Sequence, residues 1–176
     1  MDIPHARKIT FHALESPRQK PHRLPPASYV GQIAISFTAC IDGRRPVFFL
    51  PADIEHHVRL MSEQFERFGC RIPIYCFMPD HLHVISMGVN QRSDGKRAMD
   101  AFKLKSGQFL QSSGADYRWQ ENYHDRIIRR PGEWRKKVFY VFQNPVRAGI
   151  VEDAWLYPMT GAIGYDLEDL ILETAW

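Results

Sequence analysis

Apolar residues in this chain switch between two spacings, every second residue and every third or fourth, and the switches divide it into elements. The run GQIAISFTACIDGRRPVFFL from Gly31 reads as a strand, an Asp-Gly turn and a short apolar return. Over residues 52–68, Ile54, Val58, Met61, Phe65 and Phe68 recur at the helical period, and Gly69 supplies a helix stop. Residues 70–78 then read as a second strand, Pro79-Asp80 as a turn, and residues 81–87 as a third strand antiparallel to it. A helix follows over residues 94–111, with Met99, Phe102, Phe109 and Leu110 inward and Lys96, Lys103 and Lys105 outside; Ser-Ser-Gly at 112–114 ends it. Residues 119–130 fit a strand or an extended loop. A third helix is expected over residues 133–143, entered after Pro131-Gly132, with Trp134, Val138 and Val141 as its packing stripe. The order β-α-β-β-α-β-α predicts an α+β fold in which helices pack on an antiparallel sheet.

At 176 residues the chain suits one core. The expected organisation is an irregular, proline-rich basic arm over residues 1–28, a catalytic domain over 29–151 and an acidic extension over 152–176. No apolar stretch approaches the roughly 20 residues that span a bilayer, and the N-terminus lacks the apolar core of a signal peptide. A cytoplasmic protein with no membrane attachment is therefore expected. Cys40, Cys70 and Cys76 are odd in number and unpaired in spacing, which predicts free thiols.

The net charge of +3 conceals an uneven distribution. Residues 91–150 carry 13 Lys/Arg against 6 Asp/Glu, whereas residues 151–176 carry none against 6. A cationic middle suits a protein that neutralises phosphates. The acidic end could fold back over that basic surface or hold a partner.

Candidate chemistry begins with His81 and His83. In a strand, residues two apart share a face and lie about 7 Å from each other, so both imidazoles can converge on one ion while Leu82 points away. With 8 histidines in 176 residues, a His-x-His pair arises by chance about one third of the time, and the pair alone is a weak signal. Support comes from downstream, where Tyr140 precedes Asn144 by one helical turn and shares a face with Lys136 and Lys137.

Three blocks together resemble the single-tyrosine, His-hydrophobe-His transposases, and within them the REP-associated tyrosine transposases of the IS200-like fold. They are CFMPDHLH at residues 76–83, WQENYHDRIIR at 119–129 and YVFQNPVRAG at 140–149. The looser likeness runs over residues 31–151. The resemblance implies a ferredoxin/RRM-like sheet with the catalytic tyrosine on a helix in the C-terminal half. It also implies cleavage and rejoining of single-stranded DNA, in hairpin or palindromic form, through a covalent 5′-phosphotyrosine.

On that resemblance Tyr140 is the nucleophile, and His81, His83 and Asn144 hold a divalent metal, Mg²⁺ or Mn²⁺, with Asp80 as an extra ligand or an orienting group. Lys103, Arg126, Arg129, Arg130, Lys136 and Lys137 are the expected nucleic-acid contacts. Tyrosine, with an ordinary pKa near 10, is a poor nucleophile without such help. Other readings of the residues stay open. The histidines could be half-buried strand residues, Tyr140 a core-edge side chain, Asn144 a helix cap and the arginines surface charge. At the level of the protein, a catalytically silent nucleic-acid-binding regulator and a metal-dependent hydrolase are the competing functions, and the expected assembly is a monomer or homodimer.

Overall fold

The computed structural model describes residues 24–112 and 116–174. Most of the expected N-terminal arm, residues 1–23, and the end of the Ser-Ser-Gly stop lie outside the described residues. Five strands form one antiparallel sheet: β1 (Ala34–Cys40), β2 (Cys70–Met78), β3 (His81–Gly88), β4 (His124–Ile128) and β5 (Thr160–Ile163). Their spatial order is β4-β1-β3-β2-β5. Helices α1 (Pro51–Arg67), α2 (Gly95–Ser112), α3 (Pro131–Phe142), the single turn α4 (Asn144–Arg147) and α5 (Leu167–Thr174) complete the α+β architecture.

Local chemistry sets the element ends. Pro51 occupies the first turn of α1, where its missing N–H costs nothing. The Asp53 carboxylate accepts from the Phe49 and Leu50 amides at 2.8 Å each and so caps the same turn. Gly69, at φ 67°, closes α1 in the left-handed conformation that only glycine adopts without strain.

The two faces of the sheet differ. Helices α1 and α2 pack side by side on one, over Ile35, Phe37, Phe77, Leu82 and Val84, all essentially without exposure. Each such large apolar side chain contributes about 1.5–3 kcal/mol relative to exposure. Helix α3 crosses the other face, above the row that β-register places in line: His124 on β4, Thr38 on β1, His83 on β3 and Cys76 on β2.

Two sequence expectations change and two open readings resolve. The apolar return at Val47–Leu50 forms no strand; the Val47 and Phe48 amides donate to the Pro79 carbonyl at 2.7 and 3.0 Å, so this segment braces the β2–β3 turn. Phe109 does not enter the core but is 37% exposed, with its ring stacked on His56 at 3.9 Å. The ambiguous stretch resolves into an isolated bridge from Trp119 to Ile41 followed by β4. The acidic C-terminal stretch is woven into the fold: β5 pairs with β2 and α5 packs against α3. The three cysteines are free thiols.

Candidate active site

The β2–β3 hairpin turns on two residues, Pro79 and Asp80, between the paired Met78 and His81. Proline presets φ for such a turn, and the Asp80 carbonyl accepts from the Ile41 amide at 2.9 Å. The hairpin therefore presents His81 and His83 on the α3 face from a fixed support.

The imidazoles are oriented from behind. Asp80 Oδ1 lies 2.6 Å from His81 Nδ1, and Arg44 Nε donates to Asp80 Oδ2 at 2.8 Å. Burial by itself would raise the Asp80 carboxyl. The hydrogen bond from His81 and the charges of His81 and Arg44 outweigh it and hold the group below the usual carboxylate range. The Asp80 carboxylate holds the His81 ring by Nδ1 and so turns its Nε2 toward His83.

His83 Nδ1 meets Thr38 Oγ1 at 2.9 Å, and the two Nε2 atoms face each other at 3.1 Å. Burial first, then the charges of His81, Lys137 and Arg44, push His83 down to about 3, so it stays neutral and able to ligate at physiological pH. A separation of 3.1 Å matches two adjacent ligands about 2.1 Å from an octahedral ion, which stand about 3 Å apart.

Among the described residues no three His, Cys, Asp or Glu side chains cluster as a metal site. Asn144 is buried at the junction of α3 and α4, where its Nδ2 donates to the Tyr140 carbonyl at 3.1 Å. This bond does use Asn144 as a cap on the end of α3, and it leaves Oδ1, the amide's only metal-binding atom, uncommitted by it.

Tyr140 stands on α3 with its ring edge-to-face against His83, centroids 5.8 Å apart. It is 39% exposed, so its hydroxyl is open to a large molecule. Lys137 Nζ lies 5.6 Å and Arg147 Cζ 5.1 Å from the ring centroid. Burial, and then the charge of Arg126, lowers the Lys137 ammonium, with Glu133 opposing.

His81, His83, Tyr140 and Lys137 come together, and Asn144 is linked to them through the Tyr140 carbonyl. Lys136 is exposed on the same helix. Arg126 points from β4 to the α3 face but is tied to Glu133 at 2.5 Å, and the exposed Arg129 and Arg130 follow at the entry to α3. Lys103 is not brought to the site. It lies on α2, across the sheet, and donates to the Gln120 and Glu121 carbonyls at 2.7 and 2.9 Å. Trp119 and Tyr123 are buried on that side too, bonded to Ser106 and Asp100.

Thr38, Arg44 and Arg147 join the site without having been singled out from the sequence. Thr38 could have been found by extending the strand register from His83. Arg44 follows a turn, and nothing in its spacing announces it.

The family model for IS200-like transposases matches residues 29–130, more than half of the chain. The chain belongs to the IS200-like transposase family. That span holds His81 and His83 and ends before Tyr140. Among curated proteins no sequence matches. Solved structures do: a REP-associated tyrosine transposase bound to a REP hairpin aligns with a TM-score of 0.68 over 81% of this chain and 82% of that one, at 21% identity. The two share a fold. This family member is a transposase, and none of its described helices is long and apolar enough to cross a membrane.

Proposed function

We propose that this transposase cleaves and rejoins single-stranded DNA, with Tyr140 as the nucleophile. The observation that carries this reading is the packing of the Tyr140 ring on His83, whose Nε2 faces that of His81 at 3.1 Å. His81, His83 and Asn144 would hold a divalent cation, Mg²⁺ or Mn²⁺, which when bound supplies charge withdrawal at the scissile phosphate. Asp80 and Thr38 keep the two imidazoles in the ligating orientation.

Tyr140 Oη attacks phosphorus and the P–O3′ bond breaks. The phenol gives up one proton and the departing 3′ oxygen takes one up, leaving a 5′-phosphotyrosine and a free 3′-hydroxyl. Because the ester conserves the phosphodiester bond, attack by a 3′-hydroxyl reverses the step and joins strands. Lys137 stabilises the charge spread over the phosphate oxygens. Arg129, Arg130 and Lys136 are exposed and suited to neighbouring phosphates. The shared fold with a transposase bound to a hairpin supports a hairpin-bearing strand as substrate.

The test is incubation with labelled single-stranded hairpin DNA and Mn²⁺, read on a denaturing gel. A covalent protein–DNA adduct is expected, absent in Tyr140→Phe and reduced at least 100-fold in His83→Ala. Strand cleavage persisting in Tyr140→Phe would instead identify a metal-dependent hydrolase. Tight binding without cleavage by the wild type would identify a DNA-binding regulator.

A further inference from the structure

Two cations beside Tyr140 form no side-chain ion pair among the described residues. Among the described residues the ion pairs between side chains of fixed charge are Arg44–Asp80, Lys96–Asp100, Arg118–Asp42 and Arg126–Glu133. Neither Lys137 nor Arg147 belongs to one, yet both stand within 6 Å of the Tyr140 ring centroid. A phosphate arriving at Tyr140 would therefore meet two cations that no side-chain ion pair engages.

The backbone explains how Arg147 gets there. Pro145 lacks an amide hydrogen, and the helix breaks between Phe142 and Asn144. It resumes its direction because the Arg147 amide donates to the Gln143 carbonyl and the Ala148 amide to the Asn144 carbonyl, both at 2.9 Å. Seven residues at about 100° each return to within about 20° of the starting direction, so Arg147 lies on the same side as Tyr140, two turns on. Its long side chain leans toward the helix N-terminus and spans the gap. Gly149, at φ 68°, then turns the chain away.

The geometry points to Arg147 as a further catalytic residue, whose guanidinium grips the phosphate that Tyr140 attacks and keeps hold of the phosphotyrosine ester until the strand is rejoined. This inference rests on the reading of Tyr140 as nucleophile. A guanidinium presents two parallel N–H donors to two phosphate oxygens, whereas Lys137 offers a point charge. As the Oη–P bond forms and the P–O3′ bond breaks, the phosphorus exchanges one ester oxygen for another and keeps its single negative charge. The same guanidinium contact therefore serves both directions.

Arg147→Met and Arg147→Lys, compared with the wild type, test it on one oligonucleotide chosen from a pool of single-stranded hairpins because the wild type forms an adduct with it in Mn²⁺. Single-turnover adduct formation is measured at saturating DNA, rejoining by adding an excess of 3′-hydroxyl strand, and affinity by fluorescence anisotropy. Arg147→Met is expected to slow adduct formation and rejoining about 100-fold, with Kd changed less than about threefold and melting temperature unchanged. Arg147→Lys should recover to within about tenfold of wild type. An Arg147→Met protein that reacts at the wild-type rate, or whose defect vanishes at saturating DNA, overturns the assignment to Arg147 while leaving Tyr140 in place. Adduct formation that survives Tyr140→Phe overturns the underlying reading instead.

Discussion

His57 is a basic side chain enclosed by aromatic rings. It is 1% exposed, with Phe48, Phe109, Phe77 and Trp119 centroids at 5.2, 5.5, 6.0 and 6.4 Å. Its Nδ1 reaches the Asp53 carbonyl at 3.2 Å, while Nε2 has no partner among the described residues. Burial pushes the imidazole down to about 4. The unfolded chain takes up this proton below about pH 6.5 and the folded chain only near pH 4, so acid favours unfolding across that window. His57 alone should remove about 1.4 kcal/mol of stability per pH unit there, about 3 kcal/mol in all. His83, down at about 3, adds a second proton of the same sign in metal-free buffer. Urea unfolding between pH 7 and 4.5 should therefore show a slope approaching two protons, falling toward one in His57→Phe. An unchanged slope in that variant would remove His57 from the account.

Among elements, β5 contradicts its own composition. The four residues Thr160–Ile163 include a glycine and sit in the acidic end of the chain, so no alternating pattern advertises a strand. Yet β5 covers the edge of β2, and the Tyr157 hydroxyl just before it donates to the Phe77 carbonyl at 2.7 Å. Gly161 is required by contact: a Cβ there would lie 2.5 Å from the Tyr75 hydroxyl oxygen. Deleting residues 152–176 should therefore bare an edge of the central sheet and the buried Cys76 and Phe77, lowering the melting temperature by at least about 10 °C or making the protein insoluble. A soluble, fully stable truncation would show that this segment is dispensable. Helices α1, α2 and α3 and the β2–β3 hairpin were legible because their apolar spacing is long and regular. Short β5, the bracing segment at Val47 and Phe48 and the role of Lys103 were not, because each is settled by a distant partner.

On the scale of the molecule, the sheet carries its candidate site on one face only, beside a buried apolar patch that includes Ile74, Cys76 and Ile85. The face under α1 and α2 is filled with apolar side chains, whereas the face under α3 carries His81, His83, Thr38 and Arg126, with Tyr140 above them. That division was visible in the sequence as alternation: even-numbered positions of β3 are apolar or small, and odd positions begin with the two histidines. Lys137 was legible beside Tyr140 from helical spacing, whereas Arg147 was not, since it reaches the ring only across the Asn144-Pro145 junction.

The ring contact between Tyr140 and His83 is made within one chain. On the proposed reading this contact puts both halves of the chemistry in one molecule, which predicts that two damaged copies do not repair one another. Mixing Tyr140→Phe with His83→Ala should yield no more adduct than the sum of the two alone, and the wild-type rate per molecule should hold constant on dilution. Activity recovered in the mixture would mean that the tyrosine of one copy works at the histidines of another.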